Sequence, residues 1–197
     1  VVIPDTVTEI RDRAFTRCEN LQELVLPEGL KISGDYACVR DSGLVVIASP
    51  SFPMRSVCRG VAPHLDPDAV LVSVTKGLEA GTHMRMSEVV ADVTNREVVA
   101  LTGPSHAEEV ARCVPTAVVA ASVDAANAEL VQKAFMNKYF RVYTSCDVVS
   151  VELGGALKNV IAIAAGILHG VSMGVQIFST ALLVAMPASF FIALSRP

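Results

Sequence analysis

At 197 residues the chain is one or two domains by the usual rate of about 150 residues each. A formal net charge of -4 leaves no basic footprint and argues against nucleic acid as a partner. Five cysteines (18, 38, 58, 113 and 146), with no C-x-x-C and no Cys/His ligand spacing, argue against both a disulfide framework and a metal site. Reduced thiols, and an opening VVIPDTVTEIRDR without a signal-peptide core, point to the cytoplasm.

The first 43 residues carry an internal repeat. VVIPDTVTEIRDRAFTRCENL and LVLPEGLKISGDYACVRDSGL align at an offset of 23 residues, with identities at Val2/Val25, Pro4/Pro27, Asp12/Asp35, Ala14/Ala37, Arg17/Arg40 and Leu21/Leu44. A period in the twenties is that of a solenoid unit, which needs neighbours to bury its apolar face. The first copy resembles the leucine-rich repeats of BspA-type surface proteins.

Next, LVVIASPS (44–51) is an apolar run stopped at Pro50, and FPMRSVCRGVAPHL has helical spacing. AVLVSVTKG (69–77) predicts a second buried strand, closed by Lys76-Gly77. EVVALTGPS (97–105) predicts a third, with the helical HAEEVARC after it, and TAVVAAS (116–122) a fourth. ANAELVQKAFMN (126–137) predicts an amphipathic helix and FRVYTS a short strand. Apolar runs of this length, alternating with helices, predict an α/β fold with a mostly parallel sheet covered on both faces. VELGGALKNVIAIAAGIL (151–168) is apolar or glycine after Glu152 except at Lys158 and Asn159, and reads as a buried helix.

In a sheet of this kind the strands' carboxyl ends make the binding crevice. Ser49-Pro50-Ser51, Lys76-Gly77 and Gly103-Pro104-Ser105 all fall there. Ser105-x-x-Glu108 has capping-box spacing, so Ser105 is expected to start a helix whose free N–H groups favour an anion, with Gly103 clearing the approach. An ordinary strand–turn–helix with a good cap accounts for the same residues. A strand-end Lys76 is equally a solvated charge or a ligand group. On the last helix Gly154, Gly155, Lys158 and Ala162 share one broad face. A lysine desolvated there is pushed towards general acid/base use, whereas one snorkelling along apolar neighbours is only structural.

LVVIASPSF, LVSVTKGLE, LTGPSHAEEVAR, PTAVVAAS and FRVYTSCDVVSVELGGALKNVIAIAAGILHG occur in this order over residues 44–174. Together they resemble the middle of the bacterial NAD(P)-dependent glycerol-3-phosphate dehydrogenases. The resemblance implies the second half of a Rossmann-like dinucleotide-binding sheet over 44–145 and the start of a helical substrate domain over 146–174. It makes Lys158 the proton acceptor from the substrate's C2 hydroxyl, and Asn159 a substrate ligand. Lys76 meets substrate and cofactor, Gly103 and Ser105 meet the glycerol phosphate, and Ala107 meets the cofactor, which is NAD or NADP. Phospholipid synthesis is the expected setting.

The sequence departs from that family at both ends. The repeat-like segment 1–43, with its junction somewhere in 26–44, stands where a G-x-G-x-x-G/A turn for the adenine and pyrophosphate half of the cofactor is expected. Residues 175–197 are an apolar tail without the family's substrate-phosphate arginine. The expectation is a fragment with little or no dehydrogenase activity and a tendency to self-associate. The alternative is a membrane-anchored or repeat-mediated interaction protein, because 171–194 are uncharged and long enough to span a bilayer; Pro187 within that run disfavours a membrane.

Overall fold

The computed structural model describes residues 9–11 and 31–170. Most of the repeat-like segment and all of the apolar tail, with the membrane alternative it carries, lie outside the described residues. Strands β1 (Glu9–Arg11) and β2 (Lys31–Ser33) pair in parallel, Glu9 opposite Lys31. The main sheet follows: β3 (Leu44–Ile47), β4 (Val70–Ser73), β5 (Val98–Thr102), β6 (Thr116–Ala121) and β7 (Phe140–Ser145), paired in that order.

The β3–β4, β4–β5 and β6–β7 pairings are parallel and β5–β6 is antiparallel, so the mostly parallel sheet is found. All five residues of β5 are buried, because a central strand covered on both faces has no solvent side. Helices α1 (Met54–Val61) and α2 (Met86–Thr94) cover one face. Met54, Cys58 and Val61 of α1, with Met86, Val89 and Val90 of α2, pack on Val45, Ile47, Leu71 and Val98. Helix α4 (Ala125–Phe135) covers the other face, setting Val131 against Val72, Val99, Leu101, Val118 and Val142. The cysteines Cys58, Cys113 and Cys146 are free thiols.

Helix α5 (Val148–Gly170) is longer than its expected span and less buried. Val151 and Glu152 are buried, with Val151 against Val119 and Ala121. Beyond Ala156 the described side chains emerge: Leu157, Val160, Ile163 and Ile167 are 47%, 62%, 65% and 61% exposed. Among the described side chains, those buried lie in the first turns of the helix, at Val151 and Glu152. Among the described residues no helix is long and apolar enough to cross a membrane.

Helix α2 is absent from the expected elements. Its apolar residues at 86, 89 and 90 have helical spacing, but it opens on Arg85 rather than on a residue that usually caps helices. Glu88 caps the helix from within instead, its carboxylate accepting from the Arg85 backbone N–H at 2.8 Å.

Candidate functional site

The loops after β3, β4 and β5 converge at one edge of the sheet. Thr75 Oγ1 donates to the Ser49 carbonyl at 2.6 Å, joining the first two. Gly77 turns there at φ +119°, a conformation costly for other residues, with the Ser51 side chain 3.8 Å from where a Cβ would stand. Lys76 closes the third side, its Nζ donating to the Gly103 carbonyl at 2.9 Å and to Ser105 Oγ at 3.3 Å. Phe52, 96% exposed, hangs from the loop after β3.

Helix α5 packs beside these loops, against β5 and β6. A Cβ on Gly155 would lie 2.7 Å from Thr102 Oγ1, so the bare glycine lets the helix ride directly on the end of β5. Lys158 follows within one turn and stands exposed towards the crevice, close enough to Lys76 for the two amino groups to act on each other. Burial pushes the Lys76 amine below its ordinary value, and the charge and contact of Lys158 push it further. Among the described residues neither lysine is paired with a carboxylate. Two cations held together in that way make a site for an anion.

Of the six residues singled out from sequence, Lys76, Gly103, Ser105 and Lys158 come together here. Ala107 is exposed at the first position of α3 (Ala107–Ala111), two residues from Ser105. The backbone of Asn159 lies in α5, and its side chain lies outside the described residues. Two expectations need correcting. Ser105 does not cap α3: the helix begins after His106, without a side-chain cap. The Ser105 N–H is drawn into a tight turn onto the Gly103 carbonyl at 2.8 Å, and its hydroxyl accepts from Lys76 instead. Nor does Gly103 clear the way for an anion. A Cβ there would meet the Ala117 carbonyl and Val118 Cα, each at 2.8 Å, so the glycine admits strand β6.

Sequence reasoning missed the group that fastens α5. Glu152 is buried, and its Oε1 accepts from the Ser87 N–H at 2.9 Å. Its Oε2 accepts from Ser87 Oγ at 2.5 Å and from Arg85 Nη1 at 2.7 Å. The available signal was a lone acid in an otherwise apolar run, since a buried carboxylate needs partners somewhere.

Residues 3–128 match the family model described as NAD-dependent glycerol-3-phosphate dehydrogenase N-terminus, and residues 147–186 match the corresponding C-terminus model. The matches reach into both the repeat-like segment and the apolar tail. Over 176 residues the chain is 44% identical to the glycerol-3-phosphate dehydrogenase [NAD(P)+] of Enterococcus faecalis, covering 87% of this chain and 52% of that protein. Over 154 residues it is 49% identical to the enzyme of the same name from Syntrophomonas wolfei, covering 76% and 45%. The crystal structure of glycerol-3-phosphate dehydrogenase from Coxiella burnetii superposes with a TM-score of 0.70 at 32% identity, over 82% of this chain and 50% of that one. The chain thus spans about half the length of the curated relatives it matches.

Proposed function

Since the chain belongs to the NAD-dependent glycerol-3-phosphate dehydrogenase family, we propose that its crevice serves the interconversion of sn-glycerol 3-phosphate and dihydroxyacetone phosphate. The observation that carries this reading is the Lys76–Lys158 pair, near enough to act on each other and without a carboxylate partner among the described residues. A phosphate ester supplies the negative charge that such a pair lacks.

Lys158 is the acid/base. In oxidation it accepts the C2 hydroxyl proton as hydride leaves C2, and in reduction it returns that proton to the oxygen. Lys76 is a fixed charge beside the substrate, and Ser105, Gly103 and Asn159 complete the substrate's polar contacts. NAD or NADP, when bound, supplies the hydride acceptor or donor. The solvent-facing start of α3 at Ala107 and the open ring of Phe52 fit the nicotinamide end of that carrier.

Residues 44–145 form the carrier-binding part and 146–174 the start of the substrate domain, a division supported by family matches that end at 128 and resume at 147. We place the reaction in the cytoplasm, where it serves glycerophospholipid synthesis. The apolar stripe of α5 supports self-association as a further property of the chain.

Two measurements test the reading. On titration with sn-glycerol 3-phosphate, amide shifts should cluster at residues 76–77, 103–107 and 155–158, and Lys76→Ala should remove them. Whatever dihydroxyacetone phosphate reduction the chain sustains, followed at the nicotinamide absorbance, should fall by at least about 100-fold in Lys158→Ala. Shifts scattered over the surface, or turnover indifferent to Lys158, would overturn it.

A further inference from the structure

Two ammonium groups do not stay together unless the elements bearing them are fastened. Lys76 sits on the loop after β4. Two residues on, Leu78 bridges to Arg85, so the loop's far end is closed at Arg85. Arg85 is also the residue before α2, and its Nη1 reaches Glu152 on α5 at 2.7 Å while its Nη2 reaches Glu88 at 2.6 Å. Ser87 adds a backbone and a hydroxyl donor to the same carboxylate. From Glu152, somewhat under two helical turns lead to Lys158, which faces Lys76 again. The chain of contacts is closed: loop, bridge, Arg85, Glu152, helix, lysine, lysine.

We propose that Glu152 is a positioning residue, which sets how closely Lys158 approaches Lys76 by clamping the first turns of α5 to Arg85 and Ser87. It touches neither lysine. The geometry gives it leverage because the other fastenings described at this end of the helix, Gly155 on Thr102 and Val151 on Val119 and Ala121, are packing contacts that fix no polar group. Without the carboxylate, repulsion between the lysines is free to lift α5 from β5. The role rests on reading Lys76 and Lys158 as the substrate-facing pair.

Proton titration of Lys76 reads the approach directly. It faces Lys158 from α5 and, from the loop after β5, the Gly103 carbonyl and the Ser105 hydroxyl. In the full chain with 13C-labelled lysine, the Lys76 Cε resonance, assigned with Lys76→Arg, is followed against pH. Lys158→Ala should move its midpoint up, towards ordinary lysine, by removing the neighbouring charge. Glu152→Ala should move it the same way although residue 152 does not contact Lys76. Glu152→Gln, which keeps an acceptor for the Ser87 N–H but loses the ionic bond to Arg85, should lie between. Ser87→Ala deletes a single hydroxyl and should give a smaller shift of the same sign; it decides the matter alone if Glu152→Ala does not fold. A Lys76 midpoint unmoved by Glu152→Ala, or by Ser87→Ala where that variant decides, overturns the proposal, as does one unmoved by Lys158→Ala. None of these readings uses turnover, so an absent dehydrogenase activity would overturn the function and leave the clamp standing.

Discussion

A methyl group added at position 155 would lie 2.7 Å from the Thr102 hydroxyl, whereas one at position 166 would meet nothing within 4 Å. Both glycines are inside α5, where replacement by alanine ordinarily gains about 1 kcal/mol. Thr102 is only 7% exposed and has little room to withdraw. Forcing a group into packed surroundings costs about 1–3 kcal/mol, so at 155 the clash should outweigh the helix gain. Gly155→Ala is therefore expected to destabilise by about 1 kcal/mol, and Gly166→Ala to stabilise by about as much. Urea unfolding of the two variants would measure this. Changes of the same sign would mean that Gly155 is not the point at which α5 rests on the sheet.

Among the elements, the connection from β4 to α2 is strapped to α1 by one arginine. Arg55 donates through Nε to Glu79 Oε1 at 2.8 Å and through Nη2 to Glu79 Oε2 at 2.9 Å, and it also bonds Asp92 of α2. Thr82 Oγ1 donates to Glu79 as well, at 2.6 Å. The hydrogen bonds from Arg55 and then from Thr82 pull the Glu79 carboxyl down to about 2. A depressed carboxylate contributes stability above its unfolded value, and that contribution disappears as pH falls through the folded one. Glu79→Gln should thus be less stable than the parent at pH 6, and the two stability curves should converge between about 4.5 and about 2. A gap that stayed constant across this window would assign the effect to packing and not to charge.

These elements also show which features a sequence can carry. The runs ending at Pro50, Lys76-Gly77 and Gly103-Pro104 are visible because a strand buried on both faces has no polar alternation, and because proline and glycine mark where it stops. Lys76, Gly103 and Ser105 are legible for the same reason, since they stand at those stops, whereas Lys158 shows itself as a cation inside an apolar run. The direction of β6 is not written in its residues, since an apolar strand reads alike either way. The start of α3 was misread because Ser105-x-x-Glu108 has cap spacing, while the turn at Pro104 gave the Ser105 N–H another acceptor. The Glu152 clamp was invisible because its partners lie 65 and 67 residues earlier, and no local pattern joins them.

At the scale of the whole molecule, strand order in the main sheet repeats the order of the chain, from β3 to β7 without a skip. Each pairing therefore closes only the loop between successive strands, which keeps contacts local and folding fast. The buried clusters follow the same sequence. The first draws on residues 39 to 98, the second on 72 to 142, and the third on 119 to 151. The consequence concerns synthesis. A chain emerging from the ribosome can complete its first core once β5 begins, with nothing later required, and can then add one strand at a time to an existing edge. Nascent chains arrested at increasing lengths should gain protease resistance in steps, with β3 to β5 protected before β7 has been made. Protection that waited for α5 would show that the sheet assembles as one unit, whatever its order suggests.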